Sequence, residues 1–370
     1  MTYRLPPLKK KIVYLDQFAL SNMMKELNPK VPAHKKGTLD GFWLRLFERV
    51  HSLCKMQLVV CPDSYSHWKE SIPWQFYPEL RRMYELLSGG VSFEDYATIQ
   101  MSQICAHAER WLKRTGGRER GVELSTVLQG EPNAWQGRFI ISARIGVEER
   151  WIDDLRRTRD SSCKQMSQFF EEWGKQKRSF EESFETEVMS FGKMTVAELR
   201  RDENDLSAFL LVASLDRVFQ KNGIPREEVR ERIEEYLLSP SLRRVPFLRI
   251  SAMLYAAMAW KAASSGQTRP PTRGTVEDVR MISALLPYCD AMFIDNECRA
   301  YLTERPLRDE IRYGTAVFSL KTRNAFLQWL DQIELGASVR HVKKVEEVYG
   351  SGWRQPYVNL YGENANTVAP

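Results

Sequence analysis

The sequence lacks the cysteine and histidine spacings that hold structural zinc. Its six cysteines stand at positions 54, 61, 105, 163, 289 and 298, without a CxxC pair or a histidine partner at zinc spacing. Scattered cysteines are typical of small buried thiols in a reducing compartment. We therefore predict a cytoplasmic protein with reduced cysteines.

Long apolar runs and glycine-rich loops are absent as well. No run approaches the ~18 to 20 apolar residues that a bilayer-spanning helix needs, so no membrane partner is expected. The basic residues near the N-terminus are not followed by a long apolar stretch, which argues against a secretory signal. The first predicted strand is followed by Gln17, Phe18 and Ala19 instead of glycines, which argues against an α/β protein that wraps a small phosphate ligand.

The chain does have the material for a full core, and its charge is uneven. It has 43% hydrophobic residues and 10 tryptophans among 370 residues, enough for one large domain or two ordinary ones. The net charge is +6, and residues 1–75 hold 12 Lys or Arg against 6 Asp or Glu. A basic N-terminal part is compatible with a nearby polyanion and equally with a solvated face rich in lysine.

Strand and helix patterns alternate at both ends of the chain, whereas the middle gives almost only helical signals. Short apolar runs predict buried strands at 12–15, 56–61, 289–295 and 313–319. Strands separated by helices imply a parallel sheet with right-handed crossovers. From about 75 to 247 the segments are amphipathic, with opposite charges at i,i+3 and i,i+4.

This distribution predicts an α/β domain made from both ends of the chain. We assign residues 1–75 and 245–337 to that discontinuous domain and residues 76–244 to an all-α insertion. Residues 338–370 give weaker signals and are predicted to form a C-terminal extension over the surface. The clearest loop is SSGQTRPPTRG at 264–274.

Four carboxylates are predicted to meet at one edge of the sheet, because ligands of a parallel α/β sheet collect outside the carboxyl ends of its strands. Asp16 and Asp295 each end a predicted strand at that edge. Asp278 lies in the first turn of the helix that leads to the Asp295 strand. Glu70 lies one or two turns into the helix that follows the 56–61 strand.

Such a cluster needs a cation. Two carboxylates about 4 Å apart repel by roughly 4 kcal/mol at an effective dielectric near 20. Oxygen-only ligands favour Mg²⁺ or Mn²⁺. A carboxylate-held pair of these ions activates a water and stabilises the leaving oxygen of a phosphodiester.

Each carboxylate also has a structural interpretation that the sequence leaves open. Asp16 and Asp295 stand where the following helices need an N-cap. Asp278 closes Thr-Val-Glu-Asp from Thr275, a capping-box pattern. Glu70 is compatible with a solvated helix face. The agreement between the two strand-end aspartates favours the metal interpretation.

Two segments resemble a known family. IVYLDQFALSNM (12–23) resembles the opening strand of a PIN domain, where an aspartate ends strand one, and DVRMISALLPYCDAMFID (278–295) resembles the later PIN block. More narrowly, PDSYSHWKES (62–71) and LPYCDAMFIDN (286–296) are similar to bacterial PIN-like proteins with a Pro-x-Ser-x-x-His-x-x-Glu block and an LPYCD block. The resemblance covers roughly 10–75 and 245–335.

The resemblance implies a PIN-like three-layer α/β/α fold and metal-dependent nuclease activity, mostly on RNA. Matched residue by residue, Asp16, Glu70, Asp278 and Asp295 become the acids that hold Mg²⁺ or Mn²⁺. His67 matches the histidine of the narrower block, either as a neighbour of the ligands, as a phosphate contact or as a structural residue. Gln17-Phe18 and Phe293-Ile294 stand where many PIN domains carry polar side chains.

Other residues are candidates for supporting roles. Asp63 and Asp290 are candidates for a place beside the ligands, although Asp63 or Ser64 also suits the cap of the helix that follows, and Asp290 begins a strand at the end opposite Asp295. The candidate phosphate contacts are Lys9, Lys10, Lys11, Arg269 and Arg273.

The sequence thus leads to two hypotheses. The first is a metal-dependent phosphodiesterase whose partner is nucleic acid, RNA rather than DNA. The second is a non-catalytic PIN-like module that binds a protein partner through its helical insertion, with the acids vestigial or holding a structural metal.

Overall fold

The computed structural model describes residues 5–36, 41–114, 121–137, 149–200, 206–265, 274–354 and 360–361. Its strands are short and belong to two sheets. In chain order they are β1 (Lys11–Leu15), β2 (Val59–Val60), β3 (Asp63–Ser64), β4 (Ser92–Phe93), β5 (Leu128–Gln129), β6 (Ala291–Phe293) and β7 (Ala316–Phe318).

Helices make up most of the described chain. The α-helices are α1 (Gln17–Leu27), α2 (Phe42–Lys55), α3 (Tyr65–Ser71), α4 (Tyr77–Ser88), α5 (Tyr96–Leu112), α6 (Leu124–Val127), α7 (Glu149–Gln176), α8 (Phe180–Leu199), α9 (Leu206–Lys221), α10 (Arg226–Leu237), α11 (Pro246–Ser265), α12 (Thr275–Leu285), α13 (Asn296–Thr303), α14 (Leu307–Glu310), α15 (Arg323–Leu335) and α16 (Val339–Tyr349). Within the described residues, none of the helices combines the length and the apolar character that a membrane crossing requires.

The central sheet has four parallel strands in the order β2-β1-β6-β7. Ile12 of β1 lies opposite Val60 of β2, and Leu15 of β1 lies opposite Phe293 of β6. The chain leaves β1 toward β2 on one side and returns to β6 on the other side. Strand order therefore reverses between the carboxyl ends of β1 and β6, the position at which open α/β sheets bind their ligands. The predicted α/β class with a parallel sheet is confirmed.

Side chains of the strands alternate between two hydrophobic cores. Val13 and Leu15 of β1 pack into a core shared with α1, α2, α4 and α15. Ile12 and Tyr14 point to the other side, into a core shared with α5 and α8 to α12. This alternation is the period of two that a strand covered on both faces requires.

The inserted residues share a core with the sheet. The core that receives Ile12 and Tyr14 also contains Phe219 and Tyr236 of the predicted insertion. The domain boundaries at 75 and 245 stay a prediction, but the hydrophobic core is continuous across them. The insertion therefore packs directly against one face of the central sheet.

The expectation of an all-α insertion is wrong in one part. β4 and β5 belong to it, and they join β3 in a small mixed sheet with the order β3-β4-β5. Each of these strands has two residues, too few to present an alternating pattern in the sequence. The predicted strand at 56–61 is likewise reduced to β2, because α2 continues to Lys55.

Part of the predicted C-terminal extension is a docked helix. α16 begins after Ser338, whose side chain accepts a hydrogen bond from the backbone N–H of His341. Nε2 of His341 lies 2.7 Å from the carbonyl oxygen of Met56, which ties α16 to the end of α2. Valines recur every three residues from 339 to 348, and with the Ser338 cap they are a helical signal that our prediction of an extension overlooked.

Candidate metal centre

Two aspartates lie at the carboxyl ends of β1 and β6, where strand order reverses. Asp16 follows β1 directly, and its backbone N–H donates to the carbonyl oxygen of Phe293 in the adjacent β6, at 3.0 Å. Asp295 follows β6 after Ile294 and begins α13. The parallel register of β1 and β6 thus brings the two strand-end aspartates to the same edge.

Asp16 does not behave as a helix cap. It occupies the N-cap position of α1, yet its carboxyl makes no capping hydrogen bond. Burial, followed by repulsion from Glu70 and Asp295, raises its pKa to about 8. The amides of Gln17 and Phe18 oppose this shift without cancelling it. A true cap would have a lowered pKa, because the capped amides stabilise the charged form.

Asp295 caps its helix with only one oxygen. Its Oδ1 accepts hydrogen bonds from the backbone N–H groups of Glu297 (2.7 Å) and Cys298 (3.0 Å). Its Oδ2 is buried and has no hydrogen-bond partner among the described residues. A buried carboxylate oxygen left unpaired costs about 1 to 3 kcal/mol or more. The cap interpretation therefore accounts for one oxygen of Asp295 and leaves the other for a ligand.

Asp278 lies beside Asp295 and belongs to a different helix. It stands in the first turn of α12, whose N-cap is Gly274 and which has no side-chain cap. The capping-box interpretation of Thr275 and Asp278 is therefore wrong. Ligand atoms of Asp278, Asp295 and Cys298 all lie within 4.8 Å of one another.

Mutual repulsion ties the four predicted acids together. Burial, and then the charges of Asp16, Asp295 and Glu70, raise the pKa of Asp278 well above its ordinary value. Glu70 is also the strongest charged neighbour of Asp16. Within the described residues, no Lys or Arg nitrogen lies within 4.0 Å of the carboxylates of Asp16, Asp278 or Asp295. Asp16, Asp278 and Asp295 are therefore gathered without a Lys or Arg partner among the described residues.

We refer to Asp16, Glu70, Asp278 and Asp295 as the acid cluster. A stack of three aromatic rings lies next to it. The ring of His67 lies between Tyr14 and Tyr84, with 5.3 Å between centroids on either side and interplanar angles of 13° and 16°. Burial lowers the pKa of His67 to about 3, and the carbonyl of Leu15 only partly opposes this. His67 is 2% exposed, so a phosphate does not reach it. It is a neutral structural histidine.

Asp63 and Asp290 do not join the cluster. Asp63 lies in β3, where burial and repulsion from Glu85 raise its pKa to about 6 while Arg81 opposes the shift. The cap of α3 is Ser64, which accepts a hydrogen bond from the N–H of His67. The prediction that Asp63 supports the ligands is therefore not met.

Asp290 belongs to the opposite edge of the sheet. Its Oδ1 accepts from Nζ of Lys11 at 2.7 Å, and its Oδ2 accepts from the backbone N–H of Ile12 at 2.9 Å. It fastens the beginning of β6 to the beginning of β1. Its predicted place beside the metal ligands is wrong, because a strand begins and ends at opposite edges.

The predicted lysine contacts also lie at the wrong edge. Lys11 binds Asp290, and the nearly buried Lys10 donates from Nζ to the carbonyl oxygen of Ala134 at 2.7 Å. Lys9, Lys10 and Lys11 precede or begin β1, so at ~3.3 Å per residue they lie about 16 Å or more from the acid at its end. Arg269 and Arg273 fall outside the described residues.

The donor set fits a hard divalent cation. Carboxylate oxygens suit Mg²⁺ or Mn²⁺. Those of Asp278 and Asp295 belong to one group whose ligand atoms lie within 4.8 Å of one another, whereas Asp16 and Glu70 fall outside that group. The thiol of Cys298 is also at hand, but burial and the charge of Asp295 raise its pKa well above the ordinary value. A protonated thiol is a poor metal ligand. Sequence reasoning missed this residue, although its spacing of three from Asp295 places both on one face of α13.

Comparison with known proteins assigns no family. No protein-family model matches the chain, and neither a curated protein nor a solved structure matches it. The interpretation of the cluster therefore rests on its own geometry and on the residues quoted above.

Proposed function

We propose that this protein is a metal-dependent phosphodiesterase with a PIN-like fold, and that it hydrolyses RNA. The observation that carries the proposal is the acid cluster at the switch point of the sheet. Its members come from four separate parts of the chain, and burial followed by their mutual repulsion raises the pKa values of Asp16 and Asp278. Packing alone gives no reason to gather like charges, because the repulsion is costly.

The cluster supplies what a hydrolytic metal site needs. Asp16, Asp278, Asp295 and Glu70 would hold Mg²⁺ or Mn²⁺, which when bound supplies an activated water and neutralises charge on the phosphate. Two amides fix Oδ1 of Asp295, while its Oδ2 has no hydrogen-bond partner among the described residues. The Tyr14 ring beneath the acids excludes water from that side, since only 4% of the residue is exposed.

A cleavage assay tests the proposal. The full chain is incubated with end-labelled single-stranded RNA or DNA in Mn²⁺, Mg²⁺ or EDTA. We expect metal-dependent cleavage, stronger on RNA, and its loss in an Asp16→Asn, Asp295→Asn double variant. Asp290→Asn is the matched control, because it removes a carboxylate from the other edge of the same sheet. Cleavage that persists in the double variant contradicts the site.

A non-catalytic protein-binding role is the second candidate. Several large apolar side chains of the insertion and of α11 are exposed, namely Phe169, Met194, Phe209, Leu210 and Trp260. Exposed apolar side chains mark a protein interface where they form a contiguous patch. Absence of cleavage on every substrate, with the parent protein folded and metal present, would favour this role.

Cytoplasmic location is part of the same proposal. The five cysteines whose side chains are described, at 54, 61, 105, 289 and 298, are free thiols, and all except Cys105 are buried. Free buried thiols are usual where the surroundings are reducing.

A further inference from the structure

One close group of potential metal ligands within the described residues contains a sulfur. Ligand atoms of Asp278, Asp295 and Cys298 all lie within 4.8 Å of one another, whereas Asp16 and Glu70 fall outside this set. We refer to the three residues as the aspartate–cysteine group. The proposed function uses its two carboxylates and gives the thiol of Cys298 no role.

The start of α13 sets the place of this sulfur. Asp295 is the N-cap of α13 and Cys298 is the third residue of the helix. The backbone N–H of Cys298 donates a hydrogen bond of 3.0 Å to Oδ1 of Asp295, which holds the carboxyl over the first turn. Cys298 is only 3% exposed. The helix cap thus brings a carboxylate and a buried thiol together.

Asp278 approaches the same sulfur from α12. Its carboxyl makes no hydrogen bond or ion pair with another described residue. Oδ2 of Asp295 is buried and likewise has no hydrogen-bond partner among the described residues. Two helices therefore bring carboxylate oxygens that lack partners to one buried thiol, and a buried oxygen of this kind needs a ligand to offset its cost.

The charges of both aspartates act on the sulfur. Burial, and then the charges of Asp295 and Asp278, raise the pKa of the Cys298 thiol well above its ordinary value. A bound dication reverses this influence, since a metal ion at such a site displaces the proton of a coordinating thiol. The carboxylates that disfavour a free thiolate thus become its fellow ligands around a cation.

The spacing of the group suits a small tetrahedral cation. Zn²⁺ binds thiolate sulfur at about 2.3 Å and carboxylate oxygen at about 2.0 to 2.2 Å, so two of its ligands lie at most about 4.5 Å apart. The ligand atoms of the group are within 4.8 Å of one another, and small rotations of the carboxyl groups take up the difference. Three protein ligands and one open position are a common zinc arrangement.

The sulfur separates two classes of metal. Thiolate ligands select Zn²⁺, whereas Mg²⁺ and Mn²⁺ prefer oxygen ligands. Asp278 and Asp295 are ligands for both classes, so one class excludes the other. A cation held by the aspartate–cysteine group is also not shared with Asp16 and Glu70, which lie outside it.

We propose that Asp278, Asp295 and Cys298 bind Zn²⁺, and that this binding inhibits the hydrolytic site. Zn²⁺ takes the place of the thiol proton, which leaves to the solvent, and occupies the two carboxylates that Mg²⁺ or Mn²⁺ needs. The inhibition rests on the proposed function, whereas the binding of Zn²⁺ does not.

Spectroscopy of the full chain without nucleic acid tests the binding. Co²⁺ and Cd²⁺ are the probes, because a thiolate ligand gives each of them a sulfur-to-metal charge-transfer band in the ultraviolet and oxygen ligands do not. We expect this band in the parent protein, its loss in Cys298→Ser and its retention in Cys289→Ser. Cys289 is the matched control, since it is a buried thiol that precedes β6 at the other edge of the sheet.

Competition with a chromophoric chelator then measures the affinity for Zn²⁺. Cys298→Ser is expected to weaken Zn²⁺ binding by about a hundredfold, because loss of a mere neighbour of a ligand already costs about 10- to 100-fold. The affinity for Mn²⁺ should change far less, since Mn²⁺ prefers oxygen. Equal Zn²⁺ affinity of parent protein and Cys298→Ser overturns the inference.

X-ray absorption of the Zn²⁺-loaded parent protein decides the matter if Cys298→Ser does not fold, which circular dichroism checks. One sulfur at about 2.3 Å from the zinc supports the inference. A shell of oxygen and nitrogen alone, or a folded parent protein that binds no Zn²⁺, overturns it.

Cleavage in Mn²⁺ with added Zn²⁺ separates the inference from the proposed function. Zn²⁺ should inhibit the parent protein, and Cys298→Ser should need about a hundredfold more Zn²⁺ for the same fractional inhibition of its own rate. Metal-dependent cleavage that is lost in the Asp16→Asn, Asp295→Asn variant, without sulfur bound to zinc, supports the nuclease and overturns the inference. A zinc site that depends on Cys298, in a protein that cleaves no substrate, supports the aspartate–cysteine group and overturns the nuclease.

Discussion

The two edges of the central parallel sheet treat charge in opposite ways. At the amino edge, Asp290 is matched by the ammonium of Lys11 and by the N–H of Ile12. At the carboxyl edge, Asp16, Asp278 and Asp295 stand close to one another and, among the described residues, without a Lys or Arg partner within 4.0 Å. The charges at the amino edge stabilise the fold, whereas the repulsion at the carboxyl edge destabilises it.

The difference shows which edge is built for a ligand. The fold is able to neutralise a carboxylate beside β6, because it does so with Asp290. The acids at the other end of these strands have no Lys or Arg partner among the described residues, and their repulsion costs stability. Such clusters are found where function needs them. The contrast is therefore a stronger argument for a cation site than the number of acids alone.

The largest expected effect is on pH dependence in EDTA. The pKa of Asp16 is raised from 3.8 to about 8 in the folded protein, so between these values the folded state holds a proton that the unfolded state has lost. The contribution of Asp16 to stability is then fully present below about pH 4 and falls as pH rises toward 8, by on the order of 5 kcal/mol at 1.4 kcal/mol per pKa unit. Urea unfolding at several pH values measures it.

Asp16→Asn is the control for that series. The amide of asparagine is neutral throughout this pH range. The variant is therefore expected to lose most of the fall in unfolding free energy with rising pH, and to be more stable than the parent protein at pH 8. Unfolding free energies that follow the same course from pH 5 to pH 8 in the parent protein and in Asp16→Asn would contradict the raised pKa of Asp16.

At the other edge we expect a smaller effect of opposite sign. Asp290→Ala removes the acceptor of Lys11 and of the N–H of Ile12, and should lower the free energy of unfolding by about 1 to 3 kcal/mol. RNA cleavage per folded molecule should stay as in the parent protein. Stabilisation by Asp290→Ala would show that the two edges do not differ as described.

The smallest effect is expected for Lys11→Ala. Its ion pair with Asp290 is 47% and 34% exposed on the two side chains, and pairs of this kind contribute about 0 to 1 kcal/mol. Affinity for single-stranded RNA should be unchanged, because Lys11 lies about 16 Å from Asp16 along β1. A tenfold loss of affinity in this variant would show that the basic N-terminal residues contact RNA.

Much of the sheet was predictable because its strands are buried and end on acids. The apolar runs before Asp16 and Asp295 locate β1 and β6, and their shared edge follows from the parallel arrangement alone. The same rule also placed Asp290 at the opposite edge. Its further assignment as a neighbour of the ligands, and that of Lys9 to Lys11, ignored the direction of the strands they begin.

The remainder depends on contacts between distant parts of the chain. β4 and β5 have two residues each and exist because they pair with β3, so no local pattern reveals them. The burial of His67 between two tyrosine rings likewise depends on packing between α3, α4 and β1. In the sequence Lys69 does not differ from other surface lysines, because its contact with Tyr96 depends on how α5 packs beside α3.

Binding of Mn²⁺ to the purified full chain at pH 7.5 tests the central claim most directly, with isothermal titration calorimetry as the measurement. The account predicts one or two Mn²⁺ ions per chain for the parent protein and for Asp290→Asn, and loss of that binding in the Asp16→Asn, Asp295→Asn variant. Unchanged Mn²⁺ binding in the double variant, or no binding by the folded parent protein, would contradict it.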